Sequence, residues 1–212
     1  MGMNRADFLT TARIALDLVR DPVVARSWTR PSALPQMSVG ALAAHVVYQF
    51  AALPELLTSP EPVEPVVPLV GHYARSSWVG AELDAEINVS IRAKSDKVAG
   101  GGPDEVVAGA EAVLSEVDRA LPGAPDRLVR LPFWGDWSLR LEDYLVTRAM
   151  ELIVHSDDLA FSVGLATPEF PEPAAQTVVD LLSRLAVRKH GTTPVIRALT
   201  RRERAPRSIA AF

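Results

Sequence analysis

The chain contains no cysteine. Disulfides, iron–sulfur clusters, structural zinc held by thiolates and a cysteine nucleophile are thereby excluded, and any thiol that reacts here has to arrive as a ligand. No uninterrupted apolar run approaches the length of a membrane crossing, and the opening MGMNRADFLTTAR lacks the apolar stretch and cleavage site of a signal peptide. A cytoplasmic location without a membrane partner is therefore expected. The Met-Gly start is no myristoylation signal, since Ala6 stands where Ser or Thr is wanted. The glycine run at 100–102 has no Gly-Lys-Ser/Thr after it, and no G-x-S-x-G occurs, so neither a phosphate loop nor an α/β-hydrolase elbow is present. Alternating strand patterns and internal repeats are missing too.

What is present is an ordinary globular composition: 212 residues, 48% hydrophobic and 23% charged. That suffices for one domain with a sizeable core. The net charge of −4 is unevenly placed, with eight basic residues against one acid from Arg184 onward. A basic tail packed on an acidic body accounts for this. Nucleic-acid binding is not expected, because the tail has little aromatic interleaving and the body would repel phosphate.

Periodicity and caps predict helices throughout. The first spans 4–20, opened by Asn4 and ended at Asp21-Pro22; a loop covers 27–37, and Ser38 caps a second helix to about Leu53. Five prolines between 54 and 68 mark an irregular crossing of the bundle surface. A third helix is expected from Tyr73 to Ser95 on the repeat Val79, Leu83, Ile87, Ile91, and a fourth from Pro103 to Leu121. RLVRLPFWGDW follows as an extended segment whose Trp134 and Trp137 are read as packing residues. Ser138 is expected to cap the next helix and Gly164 to stop it, with further helices over 172–189 and 193–202.

Within the 138–164 helix, Glu151 and His155 stand four residues apart and stack on one face. The helix is apolar around much of its circumference, and a buried carboxylate needs a partner. A metal ion, a Glu/His hydrogen bond or a solvent-facing pair each satisfies that spacing. His45, on a helix with scarcely a charge, reads alone as a core histidine, but with Glu151 and His155 it completes two imidazoles and a carboxylate. That donor set leaves a metal an open position, as a catalytic site requires. Arg148 and Asp158 border the pair. Asp158 can orient an imidazole and Arg148 can hold an anionic group, and a surface ion pair suits either equally. His72 and His190 lie beside expected helix ends, where solvation or capping suits them.

MSVGALAAHVV (Met37 to Val47), RLEDYLVTRAMELIVHSDDLA (Arg140 to Ala160) and the tail RALTRRERAPRSIAAF together resemble the mycothiol-dependent maleylpyruvate isomerase family, of the DinB-like superfamily of metal-binding four-helix bundles. The resemblance implies an all-α, up-down-down-up bundle with a long crossover, in which His45, Glu151 and His155 bind one divalent ion. Zinc is usual; nickel and iron accept the same ligands. It also implies a low-molecular-weight thiol such as mycothiol, held as thiolate, that adds to an electrophile or assists cis-trans isomerisation.

Full-length isomerases of the family carry a further C-terminal domain with basic residues. Here residues 1–165 are expected to form the bundle and 166–212 a helical extension packed on it. The function expected is a thiol-dependent isomerase or S-transferase with a small-molecule thiol and an electrophilic substrate as partners, and a homodimer is compatible with it. A noncatalytic bundle with a structural ion or Glu/His cluster is one alternative. A metal-dependent hydrolase is another, with Asp158 as the nearby base.

Overall fold

Asn4 opens the first helix, α1 (Arg5–Val19), through a reciprocal cap in which its side chain accepts from the Asp7 amide and the Asp7 carboxylate accepts from its own. The computed structural model describes residues 2–212. Asp21 then caps a one-turn helix, α2 (Pro22–Arg26), and Ser38 caps α3 (Val39–Ala51) by accepting from the Ala41 amide. Small residues at 40, 41, 43 and 44 let α3 sit close to its neighbours. At Gly40 a Cβ would fall 2.6 Å from the Trp28 ring, so that approach requires glycine.

The chain continues through α4 (Leu53–Thr58), α5 (Leu69–Arg75), α6 (Glu86–Ala99) and α7 (Gly102–Ala120). Two short strands, β1 (Leu128–Val129) and β2 (Leu139–Arg140), pair antiparallel and lead into α8 (Leu141–Val163). Gly164, at φ 73°, ends α8, and the Leu165 amide reaches back to the Ala160 carbonyl. After it come α9 (Glu172–His190), α10 (Thr192–Thr200) and a 3-10 turn at Arg202–Arg204.

Helices α1, α3, α7 and α8 form the bundle, around a core that includes Phe8, Leu42, Phe50, Val117, Leu145 and Leu152. α6 lies along α3, and α9 packs on α8, α1 and α5. The run Val39–Thr58 has the length and composition of a membrane span, contrary to the expectation that none would, yet two-thirds of it is buried in this core (67%).

Several expectations are corrected. The third helix does not run from Tyr73 to Ser95: helix α5 stops at Arg75, turns occupy 76–85, and α6 begins at Glu86. Gly80 takes a left-handed conformation (φ 74°), and Leu83 of the presumed stripe is exposed. The carbonyls this break frees are recovered by side chains of α6: Asn88 Nδ2 donates to Glu82 O (2.9 Å) and Arg92 Nη1 to Leu83 O (2.9 Å).

Nor does Ser138 cap the helix that follows it. Its hydroxyl donates to Glu64 O, its amide to Pro65 O, and its carbonyl accepts from the Val67 amide, so it pins the proline-rich crossover to the bundle. Helix α8 starts at Leu141 with no side-chain cap, while Glu142 in its first turn pairs with Arg5. The crossover itself contains the unexpected helix α4, whose Pro54 occupies a first-turn position where proline is tolerated.

Candidate metal centre

On α8 the residues Arg148, Glu151, His155 and Asp158 are spaced three or four apart, so a helix aligns them as one polar stripe. That stripe faces α3, where His45 and Gln49 stand one turn apart. The structure brings His45, Glu151 and His155 together, with one ligand atom from each lying within 4.8 Å of the others. Glu151 Oε2 is 3.0 Å from His155 Nε2 and 3.8 Å from His45 Nε2, and the two imidazole rings meet edge to face at 4.8 Å. Donors held at about 2.0–2.2 Å around a tetrahedral ion lie roughly 3.3–3.6 Å apart, a spacing these two distances straddle. The three residues therefore fit one divalent ion after small side-chain adjustments.

The surroundings fix how each candidate ligand points. Asp158 Oδ2 is 3.0 Å from His155 Nδ1 and accepts its proton, which directs Nε2 toward Glu151. Burial disfavours the charge on His155, but Asp158 and Glu151 on its two nitrogens outweigh that and raise its pKa to about 9. At neutral pH, with no ion bound, this imidazolium satisfies both carboxylates. Burial also opposes ionisation of Glu151, yet the two imidazoles and the charge of Arg148 hold its carboxyl well below the usual range. His45 goes the other way, its pKa lowered chiefly by burial. The Gln49 amide nitrogen sits 3.2 Å from His45 Nε2.

Gln49 is the functional neighbour that sequence reasoning misses. It is 1% exposed, donates to the His45 carbonyl at 2.9 Å and accepts from Arg148 Nη1 at 2.6 Å. The one signal for it is an amide one turn beyond His45 on an otherwise apolar helix. Arg148 is consequently not a free cation: Nε also donates to Thr147 Oγ1, and the guanidinium lies over the Tyr144 ring at 5.3 Å.

His72 neither caps a helix end nor meets solvent, contrary to expectation. Because α5 begins at Leu69, His72 falls inside it and is 3% exposed, with Nδ1 accepting from Trp137 Nε1 at 3.1 Å. Trp134 packs on it at 4.6 Å, and the two indoles stack nearly parallel. Burial, and secondarily the charge of Arg148, depresses its pKa to about 4. His190 lies apart, with Nε2 donating to Ala210 O at 2.8 Å.

Three comparisons bear on this geometry. No curated protein matches the chain. A crystal structure of the mycothiol-dependent maleylpyruvate isomerase, in a histidine-to-alanine variant, superimposes with a TM-score of 0.53 at 18% identity, covering 87% of this chain and 70% of that one. At that identity the likeness speaks for the fold, a DinB-like up-down-down-up bundle. The model of the mycothiol maleylpyruvate isomerase N-terminal domain matches residues 9–160, a span that takes in the bundle and all three candidate ligands. With its bundle and its match running from α1 to the last turn of α8, the chain belongs to the mycothiol maleylpyruvate isomerase N-terminal domain family.

Proposed function

We propose that the chain is a divalent-metal protein acting as a thiol-dependent isomerase or S-transferase, with mycothiol or a similar small thiol as its partner. The observation that carries this reading is the convergence of the His45, Glu151 and His155 donor atoms within 4.8 Å, each with a further hydrogen-bonded support or charge partner. Zinc suits two imidazoles and a carboxylate best, and nickel and iron accept the same set. An ion bound there lowers the pKa of a thiol and keeps it as thiolate.

The remaining work falls to the chain's own residues. His155 gives up its Nε2 proton on loading while Asp158 keeps the Nδ1 proton in place, so uptake of the ion releases a proton. Glu151 contributes one negative charge against the ion's two. His45, Glu151 and His155 would hold an ion with three donors and leave room beside it for a thiol, and the chain's lack of cysteine is in keeping with a borrowed one. Arg148, and the C-terminal arginines from Arg197 onward, offer positive charge to an anionic electrophile.

The test is metal content by mass spectrometry, followed by turnover of electrophiles with added mycothiol. One equivalent in the parent, none in His45→Ala or Glu151→Ala, and thiol-dependent turnover only in the parent are expected. Variants that load metal like the parent would sink the reading.

One observation favours a second reading, a noncatalytic bundle. His155 between Glu151 and Asp158 is already a satisfied ion-pair network without an ion. In that case chelation leaves every activity unchanged, and the melting temperature shifts by several degrees only if a structural ion is lost. A hydrolase is the weaker alternative, because Asp158 is engaged with Nδ1 on the side of the ring away from Glu151.

A further inference from the structure

A cavity of about 250 Å³ lies between the loop after α5, the end of α9 and the tail, walled by Tyr73, Val79, Leu185, Arg188, Lys189 and Phe212. The side chains that line it are apolar apart from the two cations. Neither Arg188 nor Lys189 forms an ion pair among the described residues. The tail covers one side: Phe212 packs on Tyr73 at 5.8 Å and on Trp78 at 4.9 Å, and His190 holds the backbone at Ala210.

The inner wall has a second peculiarity. Tyr73 is 3% exposed, and its hydroxyl is buried with no hydrogen-bond partner. A buried hydroxyl left unpaired is unfavourable. Leu185, Arg188, Lys189 and Phe212 all lie beyond residue 160, where the family match ends, so this cavity is built largely from the chain's own extension.

We propose that this cavity is a binding site for a small organic anion with a flat apolar body, its charge met by Arg188 and Lys189 and its body by Val79, Leu185 and the Tyr73 and Phe212 rings. The size admits a single-ring carboxylate rather than a nucleotide. Two cations beside an apolar wall select against neutral molecules of the same shape, because an anion alone gains from the unpaired charge. None of His45, Glu151 and His155 lines it.

The probe is 4-fluorobenzoate, titrated into the full chain and followed by fluorine NMR, with 4-fluorobenzyl alcohol as its neutral counterpart. Saturable binding in the millimolar range is expected. It should weaken at least about tenfold for the alcohol and for Arg188→Ala/Lys189→Ala, whose side chains are exposed and carry no core packing. Phe212→Ala should weaken it several-fold. Glu151→Ala should bind the probe like the parent, whatever becomes of the metal chemistry. Absence of saturable binding, equal binding of the alcohol, undiminished binding by the double variant, or loss in Glu151→Ala would each overturn the proposal.

Discussion

His155, half-buried, and His72, buried, both lie near Arg148 and Glu151, yet one is driven up to about 9 and the other down to about 4. Desolvation is the leading influence on both and pushes both down. The difference lies in what meets the ring nitrogens. Carboxylates stand at 3.0 Å from each nitrogen of His155, whereas His72 accepts from an indole N–H and is enclosed by Trp134, Trp137 and Tyr73. One interior thus holds a cation-seeking region and a cation-rejecting one, and placement of two acids on α8 is what separates them.

The largest effect is expected on removing the acid that both imidazoles share. Glu151→Ala should abolish measurable metal uptake and destabilise the metal-free protein by about 3 kcal/mol, since His155 loses a buried charge partner. Metal analysis and urea unfolding check both, and a loss below about 1 kcal/mol would mean that Asp158 alone suffices to hold the imidazolium.

Next comes the pH dependence of the metal-free protein. His72 is depressed, so the unfolded chain takes up a proton that the folded one refuses; its contribution is complete above about 6.5 and is lost as pH falls toward 4, roughly 3 kcal/mol in all. His155 is raised, so its contribution is complete below about 6.5 and is lost as pH rises through about 9. Stability should therefore fall on both sides of neutrality. His72→Gln, which keeps an acceptor for Trp137 but cannot titrate, should flatten the acid limb alone in unfolding curves at pH 4.5 and 7. An unchanged acid limb would assign it to other groups.

Supports of the ligands should matter less than the ligands. Asp158→Asn removes the acceptor that fixes the His155 tautomer and should weaken metal binding about 10–100-fold. In the metal-free protein it should also bring the His155 titration, followed by NMR, down from about 9. Gln49→Leu, which leaves Arg148 without its acceptor and His45 without its amide neighbour, should cost about tenfold in metal affinity at near-parental volume. Equal metal affinity in both variants would reduce the comparison to the three ligands themselves.

Helices with strong local signals are legible in the sequence. Asn4 with Asp7, Ser38, and Gly164 fix three helix ends by bonds made within a few residues, so spacing alone reveals them. Glu151 and His155 are legible for the same reason, being one turn apart on one helix. The stripe Val79, Leu83, Ile87, Ile91 misleads because a period of four looks the same whether or not a turn interrupts it. Only contacts from α6 to the freed carbonyls make that turn tolerable. Ser138 misleads because the partner for its hydroxyl, Glu64 O, lies in a segment no local rule connects to it.

By itself the sequence determined an all-α chain, the borrowed status of any thiol and the placement of Glu151 and His155 on one face of α8, because each follows from composition or from spacing on one element. Tertiary structure alone decided that His45 faces them across the α3–α8 contact and that Gln49 ties His45 to Arg148. It also decided that His72 is sealed among aromatic rings. Apart from the bond between Gln49 and His45, these relations join residues 62 to 106 positions apart, and the packing of apolar helix faces brings them together without local hydrogen bonding to announce it.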